Sequence, residues 1–254
     1  LKIFLIMNKS NDLNQFYEER KKSLIGIRKN HILKQKSIEW MLEADKHKYN
    51  YNFSWMGRPI IKYPSDMIVQ QELMWKIKPD LIIETGIAHG GSIVFSASLL
   101  KMMNIPGHVI GVDIDIRRHN RELIENHPVS DMITMIEGSS ISFEVFEKIK
   151  SISKGYNNIL VILDSLHTHN HVLEELNLYS QFVSIDSYLI VTDTFVEFFP
   201  EGYFSSNRPW DKGNNPYTAL KEFMKKNTKF IVDEDISCKA CITETIDGYL
   251  KRVN

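Results

Sequence analysis

Two aspartates and a histidine stand just beyond the ends of two apolar runs, where they could act on a hydroxyl group. Asp164 follows the run 159–163, His167 comes three residues later, and Asp193 lies shortly after the run 188–191. If the runs are neighbouring parallel strands, about 4.8 Å apart, the two carboxylates could share one hard cation, and oxygen ligands suit Mg²⁺. A histidine with a pKa near ~6.5 is a suitable general base, so His167 could take the proton of a hydroxyl bound there.

Other interpretations of these residues stay open. The alternating histidines at 167, 169 and 171 would suit zinc, but they lead into a helix, where residues two apart do not share a face. Taken singly, each aspartate or histidine could also be an ordinary strand-end or capping group. Together, however, they favour a magnesium site over zinc and predict hydroxyl chemistry.

A glycine-rich turn follows an earlier apolar run, Leu81–Ile83. It reads Glu84-Thr85-Gly86-Ile-Ala-His-Gly90-Gly91-Ser92. Its glycines let the backbone approach a ligand, and Ser92 opens a helix whose first amides face the same crevice. The spacing matches neither the GxGxxG turn of NAD enzymes nor a GxxxxGK[ST] phosphate loop. An acidic residue before the glycine suits a cofactor that carries an ammonium group there, such as S-adenosylmethionine.

Polar residues also follow the next two strands. Asp113 ends the run 108–113, and a carboxylate at that point can accept hydrogen bonds from two ribose hydroxyls. Ser139 follows the run 132–136, where polar groups could edge an adenine. Together with Glu84, these residues predict a nucleoside-type cofactor at successive strand ends.

The elements that must position these residues alternate along the chain. Apolar runs at 81–83, 109–112, 132–136, 159–163 and 188–191 are separated by helical segments near 90–104, 117–126, 141–153 and 170–183. This alternation predicts a mostly parallel, doubly wound sheet. A helix over 216–226, a strand at 230–232 and a returning hairpin strand within 242–253 complete it, and the long loop 195–214 is typical of a lid.

The first 65 residues have a different composition. Residues 10–50 are rich in lysine with loosely helical apolar spacing, which predicts one or two amphipathic helices that pack on the domain or on a second subunit. A basic helix on a membrane surface is the alternative. Ser65 is predicted to cap a helix that ends near Ile77. We therefore predict an N-terminal helical arm with a substrate-side loop at 1–65, a doubly wound α/β domain at 66–254, and a homo-oligomer.

Composition limits the class of protein. The chain has 254 residues, 31 Lys and Arg against 32 Asp and Glu, and a formal net charge of -1. These values exclude a disordered chain and argue against nucleic acid as a partner. The apolar run Ile3–Met7 is too short for a signal segment or a membrane span, and two cysteines, Cys238 and Cys241, are too few for a secreted scaffold, so we expect a cytoplasmic protein without an integral membrane segment.

A set of motifs in order over residues 50–254 resembles one known family. The segments are Trp55-Met-Gly57-Arg-Pro59, Pro64-Ser-Asp66, Glu84 to Ser92, Gly111-Val-Asp113, Asp164-Ser-Leu-His167 with His171-Val, Asp193-Thr194, Arg208-Pro-Trp210, Asn215-Pro216 and Gly248-Tyr249-Leu-Lys-Arg. The chain resembles the cephalosporin hydroxylase family of class I S-adenosylmethionine-dependent methyltransferases, which includes rhamnosyl O-methyltransferases. The resemblance implies a Rossmann-like seven-stranded sheet whose last strand is antiparallel.

The resemblance also implies roles for residues. The implied cofactor contacts are Glu84, Thr85, Gly86, Gly90, Ser92, Asp113, Ser139 and Asp164. A similarity to macrolide-sugar O-methyltransferases implies Mg²⁺ ligation by Asp164, Thr192 and Asp193, with His167 as the base and Asp164 beside it as a catalytic residue. The relatives usually carry Glu-Asp where this chain has Thr192-Asp193, and a neutral hydroxyl is a weaker ligand than a carboxylate.

These observations predict an S-adenosylmethionine-dependent, Mg²⁺-assisted O-methyltransferase. Its acceptor would be a hydroxyl of a sugar or glycosylated small molecule, since Trp55, Tyr203 and Trp210 could stack on pyranose rings, although packing within the lid explains them equally well. Two alternatives remain: a binding module that holds S-adenosylmethionine without catalysing a reaction, and an NAD-dependent sugar-modifying enzyme.

Overall fold

Two helices and a short hairpin precede the main sheet. The computed structural model describes the backbone of residues 2–254 and the side chains of residues 12–254. The first elements are α1 (Lys2–Lys29), α2 (His31–Asp45), a 3₁₀ turn (Tyr49–Asn52), β1 (Phe53–Trp55) and β2 (Arg58–Ile60). Asn30 separates the helices, because its side-chain oxygen accepts a hydrogen bond from the Leu33 amide at 2.9 Å and so caps α2. The arm thus contains two helices.

The hairpin was not predicted. Its strands β1 and β2 are only three residues long and pair antiparallel, with Phe53 opposite Ile60. Such short strands give no periodic signal, and Pro59 argues against a strand unless it lies at an edge.

Seven further strands form the central sheet. They are β3 (Leu81–Thr85), β4 (His108–Asp113), β5 (Ile133–Glu137), β6 (Ile159–Leu163), β7 (Tyr188–Val191), β8 (Phe230–Val232) and β9 (Tyr249–Arg252). Their order is β5-β4-β3-β6-β7-β9-β8, and β9 runs opposite to the other six strands. The predicted doubly wound, mostly parallel Rossmann-like sheet with an antiparallel last strand is confirmed.

Helices cover both faces of this sheet. They are α3 (Pro64–Ile77), α4 (Gly91–Met102), α5 (Arg118–Glu125), α6 (Phe143–Ser153), α7 (His169–Tyr179), α8 (Pro216–Lys226) and α9 (Glu234–Lys239). Successive side chains of a strand point to opposite faces. On β3, Ile82 therefore packs in one core with Val94 of α4, while Ile83 packs in the other with Leu176 of α7. Burial on both faces explains why the strands are continuous apolar runs.

The start of α3 differs from the prediction. Pro64 is the first helical residue and Tyr63 precedes it as the N-cap residue, so Ser65 does not cap the helix. Instead, the Ser65 hydroxyl donates a hydrogen bond to the Ile242 carbonyl oxygen in the C-terminal segment. Proline is favoured at the first helical position because it has no amide hydrogen to satisfy there.

The N-terminal arm packs against the rest of the chain in two places. Arg28 at the end of α1 pairs with Glu234 of α9 at 2.8 Å. Met41 of α2 is buried in a cluster with Phe195 and Phe199 of the loop that follows β7. Among the helices that the structure describes, no segment has the length and apolar character to cross a bilayer. The side chains of Ile3–Met7 lie outside the described residues.

Candidate active site

The glycine-rich turn lies between β3 and α4, at the edge where the parallel strands end. Gly86 has φ +91, and a Cβ there would lie 1.8 Å from the Asp164 carbonyl oxygen, so only glycine fits. Asp113 supports the turn from the end of β4, because its Oδ2 accepts hydrogen bonds from the amides of Ile87 (2.8 Å) and Ala88 (3.1 Å). Its carboxylate therefore shapes the turn and retains lone pairs for a ligand hydroxyl.

Arg58 holds the same turn from the hairpin and was not predicted. Its guanidinium is buried, and Nε donates a hydrogen bond to the His89 carbonyl oxygen at 2.9 Å. Its Nη2 also donates to Asn120 Oδ1 at 2.9 Å, and Asn120 Nδ2 in turn donates to the Ala88 carbonyl oxygen at 3.0 Å. The turn is thus fixed by side chains from β2 and α5 as well as from β4.

Glu84 is a fully buried carboxylate without partners. It is 0% exposed, and neither carboxylate oxygen has a hydrogen-bond partner among the described residues. Burial raises its pKa from 4.5 to about 7, although the nearby Lys62 ammonium lowers it in part. The Ser92 hydroxyl at the start of α4 is also buried and unpartnered in the described chain. Such groups are costly unless a ligand completes them.

A cavity of about 1040 Å³ lies at this edge of the sheet. The predicted site residues that line it are Glu84, Gly86, Ser92, Asp113, Ser139, Asp164, His167, Asp193, Tyr203 and Trp210. Ligand sites typically span about 300–1,000 Å³, so the cavity has room for both a nucleoside cofactor and an acceptor. Residues at the ends of β3, β4, β5, β6 and β7 thus face one space.

Four predicted site residues do not line this cavity. Thr85 is buried in β3, where its Oγ1 accepts a hydrogen bond from the Asp164 amide at 3.3 Å. Gly90 takes a left-handed conformation just before α4. Trp55, which was predicted to contact the substrate, does not line the cavity. It packs edge-on against Phe95 and its Nε1 donates to Ser98 Oγ at 2.9 Å, so it is held against α4. The fourth residue is Thr192.

Thr192 supports Asp164 from below. Its side chain is buried, and Oγ1 lies 2.7 Å from Asp164 Oδ1 and 3.0 Å from the Leu163 carbonyl oxygen. The hydroxyl therefore acts as a donor to the neighbouring strand end, and its predicted ligation of Mg²⁺ stays a prediction. A carboxylate at this position would bring a charge, whereas threonine fixes the orientation of Asp164.

Asp164, His167 and Asp193 meet at the ends of β6 and β7. Each of the three residues offers one ligand atom, and these atoms all lie within 4.8 Å of one another. His167 Nε2 lies 3.6 Å from Asp193 Oδ2, and the His167 ring contacts Trp210 edge-on with centroids 4.8 Å apart. His169 and His171 point elsewhere, towards Thr218 and Ser140 respectively. The predicted pair of carboxylates and the histidine therefore share one corner of the cavity.

A buried lysine that the sequence analysis missed borders this corner. The Lys62 ammonium is 3% exposed and donates to Asp164 Oδ2 at 3.0 Å and to Glu244 Oε1 at 3.2 Å. Lys62 follows β2, and its position in the apolar run Ile60-Ile61-Lys62-Tyr63 is the only local hint of burial. Lysines are almost never fully buried unless paired, so such a run could have suggested a buried ion pair.

Burial and neighbouring charges shift the pKa values of these carboxyl groups in different directions. Burial opposes ionisation of Asp164, but Lys62, His167 and the Thr192 hydroxyl outweigh it and hold its pKa below the usual range. For Asp193, burial and the charge of Asp164 raise the pKa, and His167 only partly opposes them. Burial raises the pKa of Glu244 well above its usual range. The site thus places three carboxyl groups beside one buried ammonium, and the charge of Asp164 is the one that this arrangement favours most.

Comparisons with known proteins agree with this architecture. The fold is that of the class I methyltransferases, as in a structure of CmcI with Mg and SAM (TM-score 0.57, 20% identity, 80% of this chain and 78% of that chain). A putative O-methyltransferase from Klebsiella pneumoniae has the same fold (TM-score 0.50, 12% identity, 77% and 80% covered).

The sequence identifies the family within that class. The family model for "Rhamnosyl O-methyltransferase/CmcI" matches residues 47–253, and the chain belongs to this family. The rhamnosyl O-methyltransferase of Mycobacterium tuberculosis (strain H37Rv) is 31% identical over 186 residues, which cover 70% of this chain and 71% of that protein. That of Mycobacterium leprae is 32% identical over 160 residues, covering 60% and 68%.

Proposed function

We propose that the protein is an S-adenosylmethionine-dependent O-methyltransferase that acts on a hydroxyl of a sugar or glycosylated small molecule. The observation that carries the proposal is the buried, unpartnered Glu84 carboxylate in the same cavity as the His167 and Asp193 pair. The first group suits a cationic cofactor, and the second can remove a proton from an acceptor. Membership in a family with rhamnosyl O-methyltransferases supports the sugar acceptor.

The residues present fit the cofactor. Glu84 supplies a carboxylate for its ammonium group, Asp113 for its ribose hydroxyls, and the glycine turn allows the backbone to approach it. The turn is held by Asp113 and Arg58 before any ligand binds, so little ordering is needed.

The residues at the β6 and β7 ends also fit Mg²⁺. Asp164 and Asp193 are carboxylates within 4.8 Å of each other that remain about one-fifth exposed, at 20% and 22%. Hard cations prefer such oxygen ligands, and a divalent charge would relieve the repulsion that raises the pKa of Asp193. Asp164 must share its Oδ2 with Lys62, so we expect weak metal binding in which Asp193 supplies the freer carboxylate.

S-adenosylmethionine, when bound, would supply the methyl group on its sulfonium, and Mg²⁺ held by Asp164 and Asp193 would make the acceptor hydroxyl more acidic. The role of His167 is to take the hydroxyl proton. Its Nε2 faces Asp193, and its Nδ1 has no hydrogen-bond partner among the described residues, which leaves Nδ1 to accept the proton. Asp193 stabilises the resulting imidazolium, and the edge of Trp210 fixes the ring. The remaining tasks of the chain are alignment and exclusion of water.

The test combines binding and turnover. Calorimetry with S-adenosylhomocysteine should show binding, and NAD should not compete. Incubation with S-adenosylmethionine, MgCl₂ and a set of methyl glycosides should then yield a methyl ether detectable by mass spectrometry. Binding without transfer to any acceptor would favour the non-catalytic module, and binding of NAD alone would favour the sugar dehydrogenase alternative.

Other features of the proposal concern the whole chain. We propose the boundary between the arm and the catalytic domain at residue 65, and the position of α1, α2 and the hairpin outside the central sheet supports it. A homo-oligomeric assembly and a cytoplasmic location stay predictions.

A further inference from the structure

Residues of the N-terminal arm line the same cavity as the candidate base. Asp45 is the last residue of α2, and Asn50 lies in the 3₁₀ turn that follows. Both line the cavity together with His167, Tyr203 and Trp210. The family model begins at residue 47, so Asp45 lies outside the matched segment. The lining of the cavity is therefore built in part by the arm.

Asp45 holds part of the long loop after β7. The Tyr203 hydroxyl donates a hydrogen bond to Asp45 Oδ2 at 2.9 Å, and Asp45 Oδ1 has no hydrogen-bond partner among the described residues. The same loop packs through Phe199 against Met41 of α2. One carboxylate oxygen thus fixes the loop, and the other keeps its lone pairs for a ligand.

Asn50 presents a polar group that the protein does not satisfy. The residue is 8% exposed, and its Oδ1 is buried without a hydrogen-bond partner in the described chain. A buried carbonyl oxygen without a donor is unfavourable, and such groups in native structures usually meet water or a ligand. A hydroxyl group would satisfy it by donating a hydrogen bond.

We propose that Asp45 and Asn50 bind hydroxyl groups of a neutral sugar ring and so determine which acceptor the enzyme methylates. This inference rests on the proposed function. Both side chains offer oxygen acceptors, which match hydroxyl donors, and the Trp210 ring lines the same cavity beside His167, with the Arg208 guanidinium over it. An acidic sugar bound at Asp45 is disfavoured because the two carboxylates would repel each other, although Lys48 and Arg208 place positive charge elsewhere in the lining. Tyr203 is a positioning residue that acts through Asp45.

The experiment measures acceptor recognition separately from cofactor binding. The probes are the methyl glycosides of rhamnose, fucose, glucose and galactose, with glucuronic acid methyl glycoside as the acidic comparison. For Asn50→Leu we expect the KM for the preferred neutral glycoside to rise roughly tenfold, while the Kd for S-adenosylhomocysteine stays unchanged. Asn50→Asp keeps an oxygen acceptor, so its KM should stay close to the wild-type value.

A double-mutant cycle tests the contact between the arm and the loop. Asp45→Ala and Tyr203→Phe should each raise the acceptor KM, and the double variant should fall short of the product of the two effects, because both remove the same hydrogen bond. Glu43→Gln is the matched control, since Glu43 lies on the same helix and pairs only with Lys46 in the described structure. Thermal unfolding of each variant shows whether it is folded.

The outcomes separate the two proposals. Absence of S-adenosylhomocysteine binding by the wild type overturns the proposed function. Cofactor binding without methylation of any glycoside also counts against the proposed function, whereas methylation of the acidic glycoside in preference to every neutral one overturns the neutral-sugar inference alone. Methylation of a neutral glycoside with KM unchanged in folded Asn50→Leu and Asp45→Ala proteins overturns the role of the arm.

Discussion

Replacing Lys62 by methionine should destabilise the protein by about 3–4 kcal/mol. The ammonium is 3% exposed and lies 3.0 Å from Asp164 and 3.2 Å from Glu244, so the variant leaves two carboxylates without their shared cation. Removing one member of a buried ion pair costs about 3–5 kcal/mol. We expect the lower half of this range, because Asp164 is 20% exposed and because burial already favours the protonated form of Glu244. The loss would be a large share of a typical stability of about 5–15 kcal/mol.

Urea unfolding followed by circular dichroism at neutral pH measures the loss in the free energy of unfolding. In a separate thermal scan, the melting temperature should fall by roughly 6–15 °C. Lys148→Met is the control, since Lys148 is an exposed lysine on α6. Adding Glu244→Gln to the Lys62 variant replaces one of the two carboxyl groups left without a cation by a neutral amide and should recover part of the stability. A loss below about 1 kcal/mol for Lys62→Met would show that the two ion pairs do not stabilise the fold in this way.

Three further substitutions test the assigned roles. His167→Ala should slow methyl transfer by about 10²–10⁴-fold while leaving the Kd for S-adenosylhomocysteine intact, and a full rate would exclude His167 as the base. Asp113→Ala should weaken that Kd by about 10–100-fold, because it removes charge-assisted hydrogen bonds to the turn and to the ribose; an unchanged Kd would contradict this. The affinity of the wild type for S-adenosylhomocysteine should rise with pH through about 7, where Glu84 loses its proton and can bind the ammonium, and calorimetry of Glu84→Gln should show a weaker, flatter profile.

The sheet could be predicted from the sequence because its strands are buried on both faces. Runs such as Ile159–Leu163 contain only apolar residues, and the alternation with helices leaves one topology class. The same logic places Asp164 and Asp193 at one edge, since parallel strands end together. The positions of residues that directly follow strand ends can therefore be predicted from the sequence.

Residues that reach the site from distant parts of the chain could not be predicted in this way. Lys62 and Glu244 meet across 182 positions of the chain, and Arg58 reaches His89 from a hairpin too short to detect. No local periodicity encodes such contacts. Trp55 shows the opposite difference, since an aromatic residue near a predicted site was assigned to substrate although Phe95 and Ser98 of α4 hold it, half-buried, against the core.

The balance of buried charge explains why this sheet edge suits a cationic donor. Glu84, Asp164, Asp193 and Glu244 line the cavity with Lys62 as their buried counter-charge. Burial raises the pKa of Glu84, Asp193 and Glu244, so ionising all of these carboxyl groups beside one buried ammonium is unfavourable. A cofactor that carries positive charge would lower this cost, whereas the diphosphate of NAD would raise it. The electrostatics of the pocket therefore favour a sulfonium donor independently of the glycine spacing.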